Sequence, residues 1–109
     1  MRWLYHVMLA EDLDGSVWGS DGRYRPRSLE REGFIHASYR DWVFESAQLY
    51  FPKDARLVVL AIDPRRLDIP VQVVETPRGP MPHLHGAIAK DACTVLSLEA
   101  IPDQPDEVG

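Results

Sequence analysis

The run Leu57-Val58-Val59-Leu60-Ala61-Ile62 constrains this chain more than any other stretch. It is continuously aliphatic and rich in β-branched residues, so as a strand it has no polar face to turn to water. Such a strand lies inside a sheet and needs a covering layer on each side. Asp63-Pro64-Arg65-Arg66 then ends it in a turn.

The rest of the chain supplies partners for that strand. Trp3 to Leu9 is apolar except for His6 and reads as a first strand. Strict alternation sets Leu4, His6 and Met8 against Trp3, Tyr5 and Val7. Ala10 to Val17 is a weak helix bracketed by Gly15 and Gly19. Gly19 to Pro26 is a turn-rich connection carrying arginines. Ser28 to Glu32 reads as one helical turn, capped by Ser28 and stopped by Gly33. Gly33 to Ser38 is a short strand with Phe34, His36 and Ser38 on one face and Ile35 and Ala37 on the other.

Ser38 and Asp41 fit a Ser-x-x-acid start signature for the next helix. Its stripe runs through Trp42, Val43, Ser46, Ala47 and Tyr50 at helical spacing, and Pro52 ends it. Val71 to Glu75 is a strand with Val71, Val73 and Glu75 on one side. Thr76 to Pro82, with three prolines and a glycine, reads as a loop or hairpin connection. Cys93 to Ala100 is the last strand. The order of elements predicts an α+β fold: one small domain over residues 1–101, with a twisted, largely antiparallel sheet and two or three helices. Residues 102–109 form a flexible tail.

A chain of 109 residues fits one such core. The net charge of -5 argues against a non-specific nucleic-acid binder, which needs clustered Lys and Arg. Cys93 is the only cysteine, so no internal disulfide can form, and its apolar setting reads as a small buried hydrophobe. No apolar run reaches a membrane span, and the N-terminus lacks a signal-peptide core, so the expected location is cytoplasmic. The sequence leaves the oligomeric state open.

The candidate chemistry lies with the histidines. His6 and His36 sit in apolar strand contexts where an imidazole must find a partner or face a cleft. His83 and His85 are spaced to point the same way on a strand. With His6 or His36 they could form a three-nitrogen zinc site, although no helix motif or cysteine ligand supports that reading and no metal is expected. Glu75 ends a strand just before the loop leading to His83. A carboxylate there could bind a ribose hydroxyl or stabilise a developing cation. Arg23, Arg25 and Arg27 alternate and could meet a phosphate, or simply form a solvated face. Ser38 offers a hydroxyl on the His36 side and is explained better as a helix cap than as a nucleophile. The G-x-S-x-G, G-x-G-x-x-G and G-x-x-x-x-G-K-[S/T] patterns are absent.

Three stretches taken together resemble a known family. They are Leu4-Tyr5-His6; Ser28-Leu29 with Glu32-Gly33-Phe34-Ile35-His36-Ala37-Ser38; and Pro82-His83-Leu84-His85-Gly86. The chain is similar over roughly residues 3–98 to the bacterial domain-of-unknown-function family nine-five-two. The Leu57–Leu67 run and Glu75 fall in the same order. That family is grouped with ADP-ribosyltransferase-like folds, which implies a first-strand histidine, here His6, at an NAD ribose. It also implies a late glutamate, for which Glu75 is the rough positional stand-in.

Two readings of different class follow. In the first, His36, Glu75 and His83 are catalytic in an ADP-ribosyl-transfer-type reaction. His6, Arg23, Arg25, Ser38 and His85 then bind the ligand, and NAD is the candidate substrate rather than a fixed cofactor. In the second, the domain binds a small ligand or a partner without catalysis. A histidine-ligated metal enzyme ranks behind both.

Overall fold

The computed structural model describes residues 2–13 and 18–101. The aliphatic run forms β4 (Leu57–Ile62), which lies between β1 (Leu4–Leu9) and β8 (Cys93–Leu96) in an antiparallel sheet. Leu4 faces Ile62 and Leu9 faces Leu57 along the first ladder, and Val59 faces Leu96 along the second. The alternation read from the sequence therefore separates two cores. Leu4, Met8, Leu60 and Ile62 pack with Tyr24, Ile35, Leu84 and Ile88 on one face. Tyr5, Val59 and Ala61 pack with Val43 and Ile101 on the other.

The remaining strands form two further small antiparallel sheets rather than extending the first. β2 (Arg23–Tyr24) pairs with β7 (Ile88–Ala89), and β6 (Gly79–Leu84) lies between β3 (Ile35–His36) and β5 (Val71–Thr76). The single sheet expected from the order of elements is thus three sheets. Strands of two residues, such as β2, β3 and β7, cannot prolong a ladder. A backbone exchange between Tyr5 and Ser38 stitches β1 to the segment after β3, with Ser38 N to Tyr5 O at 2.7 Å.

Among the described residues two α-helices flank these sheets. α1 (Arg27–Glu32) follows Pro26, whose fixed φ suits the position before a first turn, so Ser28 lies inside the helix and is not its cap. Gly33 ends α1 in the left-handed conformation at φ 81°, and its N–H bonds to Leu29 O. α2 (Val43–Tyr50) is preceded by a 3₁₀ turn over Arg40–Trp42. Ser38 does not cap it: the buried hydroxyl pairs with Ser46 Oγ at 3.0 Å, which holds the strand end against the helix instead.

Two other expectations change. Ala10–Leu13 is a 3₁₀ turn and not α-helix, and residues 14–17 of the expected helix lie outside the described residues. The expected tail at residues 102–109 lies outside them as well. The last strand stops at Leu96, and Leu98–Ala100 forms a 3₁₀ turn.

The proline-rich segment is strand β6, joined to β5 by a tight turn at Pro77 and Arg78. Pro82 turns its carbonyl toward the β3 side, where it accepts from Ala37 N at 3.1 Å. Its missing donor falls on that same side, beside a partner strand only two residues long, so little pairing is lost. Gly79 adopts φ +107°, and the Trp42 indole nitrogen would lie 3.0 Å from a Cβ there. Conformation and space both require glycine at this corner. Among the described residues no helix is long and apolar enough to cross a membrane.

Candidate functional site

A cavity of about 580 Å³ opens between β1, the α1–β3 segment, the end of α2 and the β5–β6 hairpin. That volume lies within the range of small-molecule sites, about 300–1,000 Å³. His6, His36 and His83 all line it, although they come from three different strands.

His6 forms the floor. It is 9% exposed, and both ring nitrogens are occupied. Nδ1 lies 2.6 Å from His36 O, and a carbonyl can only accept, so Nδ1 carries the proton. Nε2 is then the bare nitrogen and accepts from the Tyr24 hydroxyl at 2.8 Å. Burial lowers the His6 pKa to about 4, outweighing the opposing help from the His36 carbonyl. The ring is therefore neutral and in a fixed tautomer near pH 7. Burial, followed by the nearby charges of Asp12 and Cys93, pushes the Tyr24 hydroxyl upward, so the phenol keeps its proton and remains a donor.

The rim is built differently. His36 Nε2 lies 2.6 Å from Glu32 Oε2, one helical turn back across Gly33. Both side chains are about half exposed and both line the cavity. With Nε2–H donated to the carboxylate, the lone pair of His36 falls on Nδ1. The residue is held at two points, because its backbone carbonyl is the one that His6 grips. Phe34 stacks on His83 with ring centroids 4.0 Å apart and an interplanar angle of 12°, and meets the edge of His36 at 4.8 Å. Burial first, then the charges of His36 and His85, lowers the His83 pKa below the usual histidine value.

Ser38 also lines the cavity, but its hydroxyl is engaged by Ser46. His85 does not line it; its Nε2 is 3.1 Å from Gln72 Oε1 on β5. Glu75 is exposed on β5, outside the lining, on the same side as the exposed Val71 and Val73. Arg23 pairs with Asp68 at 2.5 Å, and Arg25 grips Asp21 with two bonds of 2.8 Å. These pairs raise both arginine pKa values and lower those of Asp21 and Asp68. Arg23 and Arg25 thus face carboxylates of this chain, and neither they nor Arg27 are among the described residues lining the cavity.

The cation that does line it is Arg78, whose Nη2 donates to Tyr50 Oη at 3.0 Å. Sequence reasoning missed Arg78 and Tyr24 as site residues, and it assigned Glu32 no role there. Glu32 left a signal, a carboxylate four residues before His36; Arg78 left none beyond its place in a turn. Among the described residues no group of three His, Cys, Asp or Glu side chains is placed to hold a metal ion. Both His6 nitrogens are taken within the protein, His83 lies flat on Phe34, and His85 turns to Gln72. Cys93 is half-buried, its thiol directed at Ala89 O at 3.6 Å and its pKa pushed up to about 11 by burial.

Residues 13–96 match the family described as Protein of unknown function (DUF952). The chain belongs to that family. Two solved structures share its fold, both of protein CC0527 from Caulobacter crescentus, one of them a double mutant. They are 23% and 22% identical, with a TM-score of 0.74, over 96% of this chain and 93% of theirs. No curated protein matches this member of the family.

Proposed function

We propose that the cavity binds a nucleotide-type small molecule and carries ADP-ribosyl-transfer-type chemistry, with NAD as donor. The observation that carries this reading is the Glu32–His36 pair, at 2.6 Å, on the rim of a closed-floored cavity. The chemistry needs a carboxylate near a developing oxocarbenium ion and a base for the incoming nucleophile, with little covalent work by the protein. The C1′–nitrogen bond of the ribosyl group breaks, and its electron pair leaves with the nicotinamide ring. A nucleophile O–H attacks C1′ and its proton passes to His36 Nδ1, while Glu32 holds the resulting imidazolium.

In this reading Glu32 takes the part that sequence position had suggested for Glu75. His36 is the catalytic base, His83 and Ser38 shape the ligand side, and His6 is a positioning residue acting through the His36 carbonyl. The fold is read as ADP-ribosyltransferase-like on the same ground, because a first-strand histidine lies at the cavity floor. A cytoplasmic setting, where NAD is at hand, belongs to the same proposal.

Calorimetry with NAD, and proton NMR of released nicotinamide, test it. Wild type is expected to bind NAD at millimolar concentration or tighter and to release nicotinamide. His36→Ala is expected to slow release by about 10²–10⁴-fold with binding changed only a few-fold. Absence of binding by NAD, ADP-ribose and nicotinamide overturns the proposal. Binding without release overturns the transfer chemistry and favours the non-catalytic ligand site.

A further inference from the structure

We infer that Arg78 is the anion-binding group of this cavity and takes the phosphate end of its ligand. The ligand then lies with its phosphates at the β5–β6 hairpin and its reacting end at Glu32 and His36. This orientation rests on the nucleotide reading above; the existence of an anion site at Arg78 does not.

Among the described residues lining the cavity, Arg78 is the sole lysine or arginine. Among the described residues no carboxylate pairs with it, whereas Arg23, Arg25, Arg65 and Arg66 each lie against an aspartate. Its side-chain partner among the described residues is the Tyr50 phenol: Nη2 donates to Tyr50 Oη, and the guanidinium carbon lies 5.8 Å from the Tyr50 ring centroid. A phenol orients a guanidinium without neutralising it, and most of the five donors stay available for a planar or tetrahedral anion.

The turn is braced for this purpose. Thr76 Oγ1 accepts from Arg78 N at 3.2 Å and donates to Gly79 O at 2.8 Å. Gly79 in turn packs on the Trp42 indole. The backbone beneath the guanidinium is thus held at Arg78 N and at Gly79 O.

Charge is also distributed unevenly around the lining. The acids Glu32 and Asp12 lie by His36 and Tyr24, since Glu32 bonds His36 and the Asp12 charge acts on Tyr24. Arg78 stands with Tyr50 and Thr76, on the hairpin and the end of α2. A ligand with an anionic end and a carbon that becomes cationic on reaction matches both groups. An all-anionic ligand would meet the acids, and a neutral one would leave Arg78 unused.

The test is a calorimetric titration of wild type, Arg78→Gln, Arg78→Lys and Tyr50→Phe with inorganic pyrophosphate, ADP-ribose and adenosine. Arg78→Gln is expected to weaken ADP-ribose by about tenfold or more and to abolish pyrophosphate binding, with adenosine within about twofold. Arg78→Lys restores part of the loss, because it keeps the charge without the planar fork. Tyr50→Phe frees the guanidinium from its hydrogen bond and weakens ADP-ribose by about two- to threefold. A purely structural Arg78 predicts equal weakening of adenosine and ADP-ribose, or no change in either, and either result overturns the inference while the nucleotide reading stands. Arg78-dependent binding of pyrophosphate without binding of ADP-ribose or NAD upholds the anion site and overturns the nucleotide reading. Binding of neither pyrophosphate nor ADP-ribose by wild type overturns both.

Discussion

His6 and His36 stand on adjoining parts of one cavity and are joined by a hydrogen bond, yet they are opposites. His6 is buried, with both nitrogens bonded to uncharged groups, and its pKa falls to about 4. His36 is half exposed, with a carboxylate on one nitrogen. The same side chain is a buried strut on the floor and an exposed, carboxylate-paired group on the rim, where the proposed chemistry would use it. Burial and partner, not residue type, divide the two roles.

The largest expected effect breaks the floor. His6→Ala removes both hydrogen bonds, leaves the Tyr24 hydroxyl buried without its acceptor, and opens space beside Leu4 and Met8. Urea unfolding should show a loss of about 2–4 kcal/mol. His36→Ala, at the exposed rim, should cost less than about 1 kcal/mol. Equal losses from the two variants would erase the contrast.

Acid acts on the same difference. Between pH 6.5, the ordinary histidine value, and pH 4, the unfolded chain binds a proton at His6 that the folded chain refuses. Stability from this source is complete above the upper value and lost as pH falls toward the lower one. The loss is roughly 3 kcal/mol across that window. Denaturation midpoints of wild type and His6→Gln between pH 7 and 4 check it, the variant giving the shallower slope.

Tyr24→Phe sharpens the comparison further. It keeps the ring packing and deletes the one donor to His6 Nε2, at a cost of about 1–2 kcal/mol. The smallest stability effect belongs to Glu32→Gln, within about 0.5 kcal/mol because the pair is solvent-screened. That same change should lower nicotinamide release at least tenfold.

Much of this arrangement can be read in the chain, and the unreadable part has a physical pattern. β1 and β4 were legible because six-residue runs that are aliphatic, or apolar but for His6, leave few alternatives. The stop at Gly33 was legible because only glycine relaxes into that conformation, at φ 81°. Ser38 misled because local capping chemistry and a distant hydroxyl compete for one side chain, and Ser46 won. The prolines of β6 misled because a proline's cost depends on which neighbour its missing donor faces. Arg23 was lost to Asp68, a partner 45 residues away that no local spacing reveals. His6 and His36 could be named as candidates from their apolar surroundings, and His83 from its spacing to His85. Their differing roles could not, since these depend on Tyr24, Glu32 and Phe34 arriving from other elements.

The most direct measurement is an NMR titration of the four histidine rings with NAD at pH 7. The ring resonances of His36 and His83 should shift together and saturably, with His6 moving less and His85, turned to Gln72, staying still. Shifts confined to His85, or none at all at saturating NAD, would contradict the account that the rim binds ligand over a fixed floor.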